Sequence, residues 1–374
     1  MKIVVAMDSF KGTLAAERAC RIVADAIGRA TPDAEIVVKP MADGGEGTAA
    51  ALMAASNGQW IPVTVMGPLP QMQVAAGFAW LPGDRTAAVE MASASGMQLL
   101  RREQLNPLKT TTFGTGQLIR AALDRGAERI LLGVGGSATV DGGVGAATAL
   151  GWEFLAGDGT PVGLGAGALA EIVEIIPPDR DMDVPVDVLC DVDNPLCGPH
   201  GAARVYGPQK GATPQMVETL DSALAHMAEL VSSQLGIHVR DLPGAGAAGG
   251  LAAGAVAFME ARLVSGIETV MAQSRLRREV SDADWVVTGE GCFDSQSMRG
   301  KVVSGVARVA RQGGARVGVI AGQVLLANHV FRNVGIEAAL ACTQPGMDLQ
   351  FALEHCEELL AQAAGRFATL HLGG

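Results

Sequence analysis

Residues 1–48 read MKIVVAMDSFKGTLAAERACRIVADAIGRATPDAEIVVKPMADGGEGT, and this stretch decides the fold. Ile3–Met7 is a short apolar run of the kind that fills a strand buried on both faces, and it ends at Asp8. From Leu14 to Ala30 the apolar positions Leu14, Ala19, Ile22, Val23, Ala26, Ile27 and Ala30 share one helical face, while Glu17, Arg18, Arg21, Asp25 and Arg29 fall off it. Thr13 is placed to cap that helix. Glu35–Pro40 reads as the next strand and runs into Met41–Ala42–Asp43–Gly44–Gly45. The segment predicts β–α–β.

Working outward, the end of the chain repeats this rhythm. Trp285–Thr288 is a strand that ends at Gly289–Glu290–Gly291, and Lys301–Arg311 is a helix stopped by Gly313–Gly314. Arg316–Ala321 and Ile336–Cys342 read as further strands, and Leu353–Phe367 as a final helix. Strands alternating with helices specify a parallel sheet covered on both faces. The expected fold is α/β: a doubly wound, flavodoxin-like (Rossmann-type) domain with strand order 2-1-3-4-5, built from residues 1–60 and 283–374. The middle, 61–282, has extended segments at Trp60–Met66, Val74–Trp80 and Thr86–Met91. It continues with a helix at Thr115–Arg125, strands at Arg129–Val134 and Val186–Cys190, and a long helix at Met216–Leu235. It reads as an inserted mixed α/β domain. The active site is expected in the cleft between the two domains, since such clefts are where ligands bind.

Bulk composition narrows the function. The 374 residues are 49% hydrophobic and 18% charged, with a formal net charge of −11. That argues against a nucleic-acid or membrane-surface binder, which needs a basic face. It leaves room for an anionic small-molecule substrate held by local lysines and backbone N–H groups. The six cysteines, Cys20, Cys190, Cys197, Cys292, Cys342 and Cys356, form no C-x-x-C pair and read as reduced thiols of a cytoplasmic protein. No secretory h-region is read at the start, and the longest uncharged stretch, Leu242–Met259, is too rich in Gly and Ala to partition into a bilayer.

Polar and glycine residues collect where strands end, which in a doubly wound sheet is the ligand crevice. Asp8–Ser9–Phe10–Lys11–Gly12–Thr13 lies between a strand and a helix start and suits an anion. Asp43–Gly44–Gly45–Glu46–Gly47–Thr48 flanks small residues with carboxylates, which suit Mg²⁺. Gly133–Val134–Gly135–Gly136–Ser137–Ala138–Thr139, followed by Asp141–Gly142–Gly143, reads as an anion-cradling nest. Asp191, after the strand ending at Cys190, is placed to orient or deprotonate a hydroxyl, and Lys210 in Pro208–Gln209–Lys210–Gly211 supplies a further cation. Gly244–Ala245–Gly246–Ala247–Ala248–Gly249–Gly250 spells G-x-G-x-x-G but follows no core strand, so close packing or backbone approach to a ligand explains it better than a nicotinamide site. Glu290 and Asp294 are placed to share a metal, and Gly300–Lys301 sets a lysine at a helix start. No G-x-x-x-x-G-K-[ST], H-E-x-x-H or G-x-S-x-G motif occurs.

Taken in order, Asp8–Ser9–Phe10–Lys11–Gly12, Pro40–Thr48, Gly135–Thr139 with Asp141–Gly143, Pro208–Ala212 and Thr288–Gly291 with Asp294 and Gln296 resemble the signature blocks of bacterial-type (first-class) glycerate kinases. Cys292–Phe293 departs from that pattern, which has an Arg followed by an aliphatic residue there. The resemblance implies dependence on ATP and Mg²⁺, D-glycerate as acceptor and 2-phospho-D-glycerate as product. The resemblance does not by itself assign residue roles; from the chemistry of the clusters, Lys11 and Lys210 are expected to meet phosphate, with Glu290, Asp294 and Asp43 on Mg²⁺ and Asp191 on the acceptor hydroxyl. Ser9, Gly12, Gly44, Gly45, Gly135, Gly136, Ser137, Gly289, Gly291 and Lys301 are expected around the nucleotide. The alternatives are phosphorylation at the 3-hydroxyl, a kinase of another small hydroxy acid, and a nucleotide-binding regulatory protein without turnover. The oligomeric state, homo-oligomer included, stays open.

Overall fold

The computed structural model describes residues 1–179, 182–298 and 301–373. Its internal contacts separate two units: unit 1 is residues 1–43, 50–56 and 267–374, and unit 2 is residues 44–49 and 57–266.

Unit 1 is built on five parallel strands in the spatial order Glu35–Val38, Lys2–Met7, Trp285–Gly289, Arg316–Ala321 and Ala338–Ala341. Numbered along the unit, that order is 2-1-3-4-5, the flavodoxin-like winding. The central strands are apolar on both faces because helices cover both. Ile3 to Met7 and Val286 and Val287 are sealed from solvent. On one side, the helix Ala16–Ala30 buries Ala19, Val23, Ala26 and Ile27 in a cluster shared with Leu360, Ala364 and Phe367 of the helix Cys356–His371. The helix Val302–Gly313 buries Val302, Val303, Val306, Val309 and Ala310.

Some boundaries differ from expectation for local reasons. The first helix begins at Ala16, with Ala15 at its cap position, because Phe10 and Leu14 exchange backbone hydrogen bonds. Thr13 therefore sits inside a tight turn and donates its hydroxyl to Phe10 O at 2.9 Å instead of capping the helix. The final helix is two: Leu349–Glu354, capped by Asp348, and Cys356–His371.

Unit 2 carries a six-stranded mixed sheet in the order Arg262–Val264, Val186–Leu189, Arg129–Gly133, Thr86–Glu90, Gln73–Leu81 and Gln59–Met66. The first four strands run parallel and the last two form antiparallel pairings. The expected helix Met216–Leu235 spans Pro214–Leu230 and then widens into a π turn, Val231–Leu235. The helix Leu251–Met259 and the edge strand Arg262–Val264 are additions to the expected elements. The Gly244–Gly250 run packs closely: a side-chain carbon on Gly246 would fall 2.3 Å from Pro195 O, and one on Gly249 2.0 Å from Thr139 O. Among the described residues, no helix is long and apolar enough to cross a membrane.

Candidate active site

Register brings the first polar residues of unit 1 together. Ile3 pairs with Trp285 and Met7 with Gly289, so Asp8 and Glu290 leave adjacent strands at the same level. Met41 N donates to Met7 O at 2.9 Å, which carries the chain on the other side of the first strand to Asp43. These carboxyl ends open on a pocket of about 380 Å³. Asp8, Ser9, Lys11, Asp43, Glu290, Gly291, Asp294 and Lys301 line one part of it, and Cys342, Leu349, Ala352, Leu353, Cys356 and Leu359 line another.

Carboxylates crowd this pocket. Burial pushes the Asp8 carboxyl up to about 7, and the Asp43 and Glu290 charges push it the same way, against the Ser9 amide and Lys11. Burial also raises Glu290, with Asp294 and Asp43 adding to it, while Ser297 and Lys301 oppose. Glu290 Oε1 is buried and meets no hydrogen-bond partner among the described residues. An orphaned buried carboxylate oxygen beside two further carboxylates is a setting that a divalent cation relieves. Among the described residues, no three or more His, Cys, Asp or Glu groups form a ready-made metal cage. The arrangement fits a cation that takes one or two carboxylates and completes its shell with phosphate and water. Asp294 has a structural duty besides: its Oδ1 accepts from Gln296 N at 2.7 Å and Ser297 N at 3.3 Å.

The other expected residues of unit 1 divide by position. Gly12 is exposed with φ +78° and open space where a side chain would go. Gly291 faces the pocket, but Gly289 is a packing glycine, since a side-chain carbon there would fall 1.7 Å from Ile320 O. Lys301 occupies the cap position of the helix Val302–Gly313 in extended conformation. Gly300 lies outside the described residues.

In unit 2 the Gly133–Gly143 loop follows the strand Arg129–Gly133. Gly135 has no side chain because one would fall 2.6 Å from Gly45 Cα, and Gly44, at φ +87°, packs on Leu189. The two glycine runs thus lie against each other. Lys210, expected to meet phosphate, lies buried against this loop. It is 1% exposed, and its Nζ donates to Ser137 Oγ at 2.6 Å and Thr139 O at 2.7 Å. Burial lowers it to about 7, opposed by Asp141. A sealed lysine bound to the loop holds the loop's shape.

Sequence reasoning named Asp141 and Asp191 but missed Thr110, Thr112 and Glu90. Asp141, fully buried, accepts from Thr112 N at 2.7 Å, Thr112 Oγ1 at 2.9 Å and Gly143 N at 3.2 Å, and burial raises its carboxyl despite them. Thr110 Oγ1 donates to Ala138 O at 2.8 Å. The run Thr110–Thr111–Thr112 was the available signal, since consecutive hydroxyls ahead of a helix have local hydrogen-bonding uses. Glu90, at the end of its strand, accepts from Ala49 N at 2.7 Å. Asp191 Oδ1 accepts from Ser265 Oγ at 2.7 Å and Gly266 N at 3.2 Å, which fixes the direction of its carboxylate.

Comparison with known proteins completes the description. The model of the glycerate kinase family matches residues 3–372. A glycerate kinase of Halalkalibacterium halodurans is 46% identical over 373 residues, covering 98% of this chain and 97% of the relative. A glycerate 2-kinase of Escherichia coli is 41% identical over 377 residues, covering 100% and 99%. A crystal structure assigned to glycerate kinase 2 of Salmonella typhimurium LT2 superposes with a TM-score of 0.87 at 41% identity, over 100% of this chain and 99% of that one.

Proposed function

The chain belongs to the glycerate kinase family, and from that premise we propose that it transfers the γ-phosphoryl group of ATP to the 2-hydroxyl of D-glycerate. The observation that carries the reading is the unit 1 pocket, where Lys11 and Lys301 stand with Asp8, Asp43 and Glu290 at the carboxyl ends of a doubly wound sheet. That is the composition a triphosphate with a divalent cation requires.

Phosphoryl transfer asks the protein for alignment and charge compensation more than for covalent chemistry. Lys11, exposed at the tip of its turn, meets phosphate oxygens, and Lys301 holds a second point charge. Glu290 and Asp43 would hold Mg²⁺, with Asp294 and Asp8 beside them; the ion would supply positive charge to bridging phosphate oxygens. Gly12 and Gly291 leave room for the phosphate chain, and Ser9 offers its hydroxyl, its amide being held by Asp8 Oδ1 at 2.7 Å. Gly44, Gly45, Gly135 and Gly136 form the second loop pair, with Ser137 held by Lys210. Asp191, with Oδ1 held by Ser265 and Gly266, is assigned to orient or deprotonate the acceptor hydroxyl. The six free cysteines support a cytoplasmic site of action.

Incubation with ATP, Mg²⁺ and D-glycerate is expected to yield 2-phospho-D-glycerate by phosphorus NMR, with turnover abolished by EDTA. A 3-phosphorylated product, or equal turnover of other hydroxy acids in a coupled ADP assay, would overturn the assignment. Asp191→Asn is expected to lower kcat by about 100-fold or more. Near wild-type turnover at every pH would remove Asp191 from the chemistry.

A further inference from the structure

We propose that the apolar part of the unit 1 pocket, walled by Cys342, Leu349, Ala352, Leu353, Cys356 and Leu359, seats the base of the donor nucleotide; this rests on reading the polar part as the triphosphate site. The two parts are continuous within one pocket of about 380 Å³. A phosphate chain and its counter-ion have no use for an aliphatic wall, and glycerate has no apolar face to offer it. The base is the one part of a nucleoside triphosphate that gains from leaving water there.

Exposure supports the same occupant. Leu349 is 64% and Leu353 48% exposed, although each belongs to a pocket wall. Large aliphatic side chains grouped at a pocket rim mark a binding surface, unlike scattered ones. The segment that presents them is fixed from below. Asp348 caps Leu349–Glu354 through Phe351 N at 3.0 Å, and Ala352 and Leu359 anchor the segment in the unit 1 core. Two polar side chains from the neighbouring segments line the same pocket: Thr343, which already donates to Gly322 O at 2.9 Å, and the exposed Gln323. The aliphatic wall itself meets the base through a face.

The test compares two probes, Mg²⁺–ATP and Mg²⁺–tripolyphosphate, by titration calorimetry. Leu353→Glu is expected to weaken ATP by at least about tenfold and leave tripolyphosphate unchanged; Leu353→Met is expected to bind both as wild type does. In the wild-type enzyme, ATP is expected to slow iodoacetamide alkylation of Cys356, followed by mass spectrometry, and tripolyphosphate is not. Undiminished ATP binding by Leu353→Glu, or Cys356 alkylated at full rate under saturating ATP, overturns the base assignment and leaves the triphosphate site standing. Undiminished binding of both probes by Lys11→Ala overturns the triphosphate site itself.

Discussion

Both units set polar residues at the carboxyl ends of parallel strands, yet they treat charge in opposite ways. In unit 2 the Gly133–Gly143 loop is tied from every side: Lys210 holds Ser137 and Thr139, Asp141 holds Thr112 and Gly143, and Thr110 holds Ala138. In unit 1 Asp8, Asp43 and Glu290 crowd one pocket, and the buried Oε1 of Glu290 meets no partner among the described residues. Buried polar groups that are satisfied specify shape. A buried carboxylate oxygen without a hydrogen-bond partner among the described residues, as at Glu290, carries a standing cost that a ligand can remove. The contrast separates groups that build a loop from groups that the proposed function assigns to a cation and phosphate.

The largest expected effect breaks the contrast on the unit 1 side. A carboxyl raised in the folded state favours folding fully below its unfolded pKa, and the contribution is lost as pH rises through the folded value. For Asp8 that window runs from about 4 to about 7. At ~1.4 kcal/mol per unit the swing approaches ~4 kcal/mol. In EDTA, Asp8→Asn is therefore expected to become progressively more stable than wild type between pH 4 and 7, read from urea unfolding. Millimolar Mg²⁺ should stabilise the wild type near pH 7 and the variant less. Parallel pH profiles for the two proteins would show that Asp8 is not strained.

The next effect falls in unit 2. Lys210→Met removes a donor whose partners are sealed from water, so Ser137 Oγ and Thr139 O lose their donor and Asp141 an opposing charge. The expected loss is about 3 kcal/mol of stability. The pH dependence has the opposite sense to that of Asp8. An amine lowered to about 7 favours folding above its unfolded pKa, and that support is lost as pH falls through about 7. Lys210→Met should remove that slope between about pH 7 and 10. Unchanged stability with a raised KM for ATP would instead make Lys210 a phosphate contact.

What was legible follows from the same physics. The unit 1 sheet order could be read because Ile3–Met7, Trp285–Thr288 and Arg316–Ala321 are short apolar runs ending at Asp8, Gly289 and Gly322, and the helices Ala16–Ala30 and Val302–Gly313 keep a strong 3.6-residue period. Leu251–Met259 was not legible, because LAAGAVAFM is buried nearly all round and its Ala and Gly give no period. Asp8, Lys11 and Glu290 could be placed at one edge from their position after strands. Lys210 could not: Pro208 and Gly211 mark an ordinary turn, and its partners lie 71 and 73 residues away in sequence. Asp191 stood out by its place after a strand, while the hydroxyl and amide that orient it come from Ser265 and Gly266, distant in the chain.

The smallest effect sharpens the comparison at glycine. Gly12 in unit 1 and Gly249 in unit 2 both have left-handed backbone, at φ +78° and +66°. A side-chain carbon on Gly12 meets nothing within 4 Å, whereas on Gly249 it falls 2.0 Å from Thr139 O. Gly12→Ala therefore costs only the left-handed penalty, about 1 kcal/mol, and Gly249→Ala adds overpacking for about 3 kcal/mol in all. Open space at Gly12 in a turn beside Lys11 is room for a ligand. Its alanine variant should lose more in affinity for Mg²⁺–ATP than in stability, whereas Gly249→Ala should show the reverse. Equal stability losses at the two positions, measured by thermal unfolding, would remove the distinction between a binding turn and a packed loop.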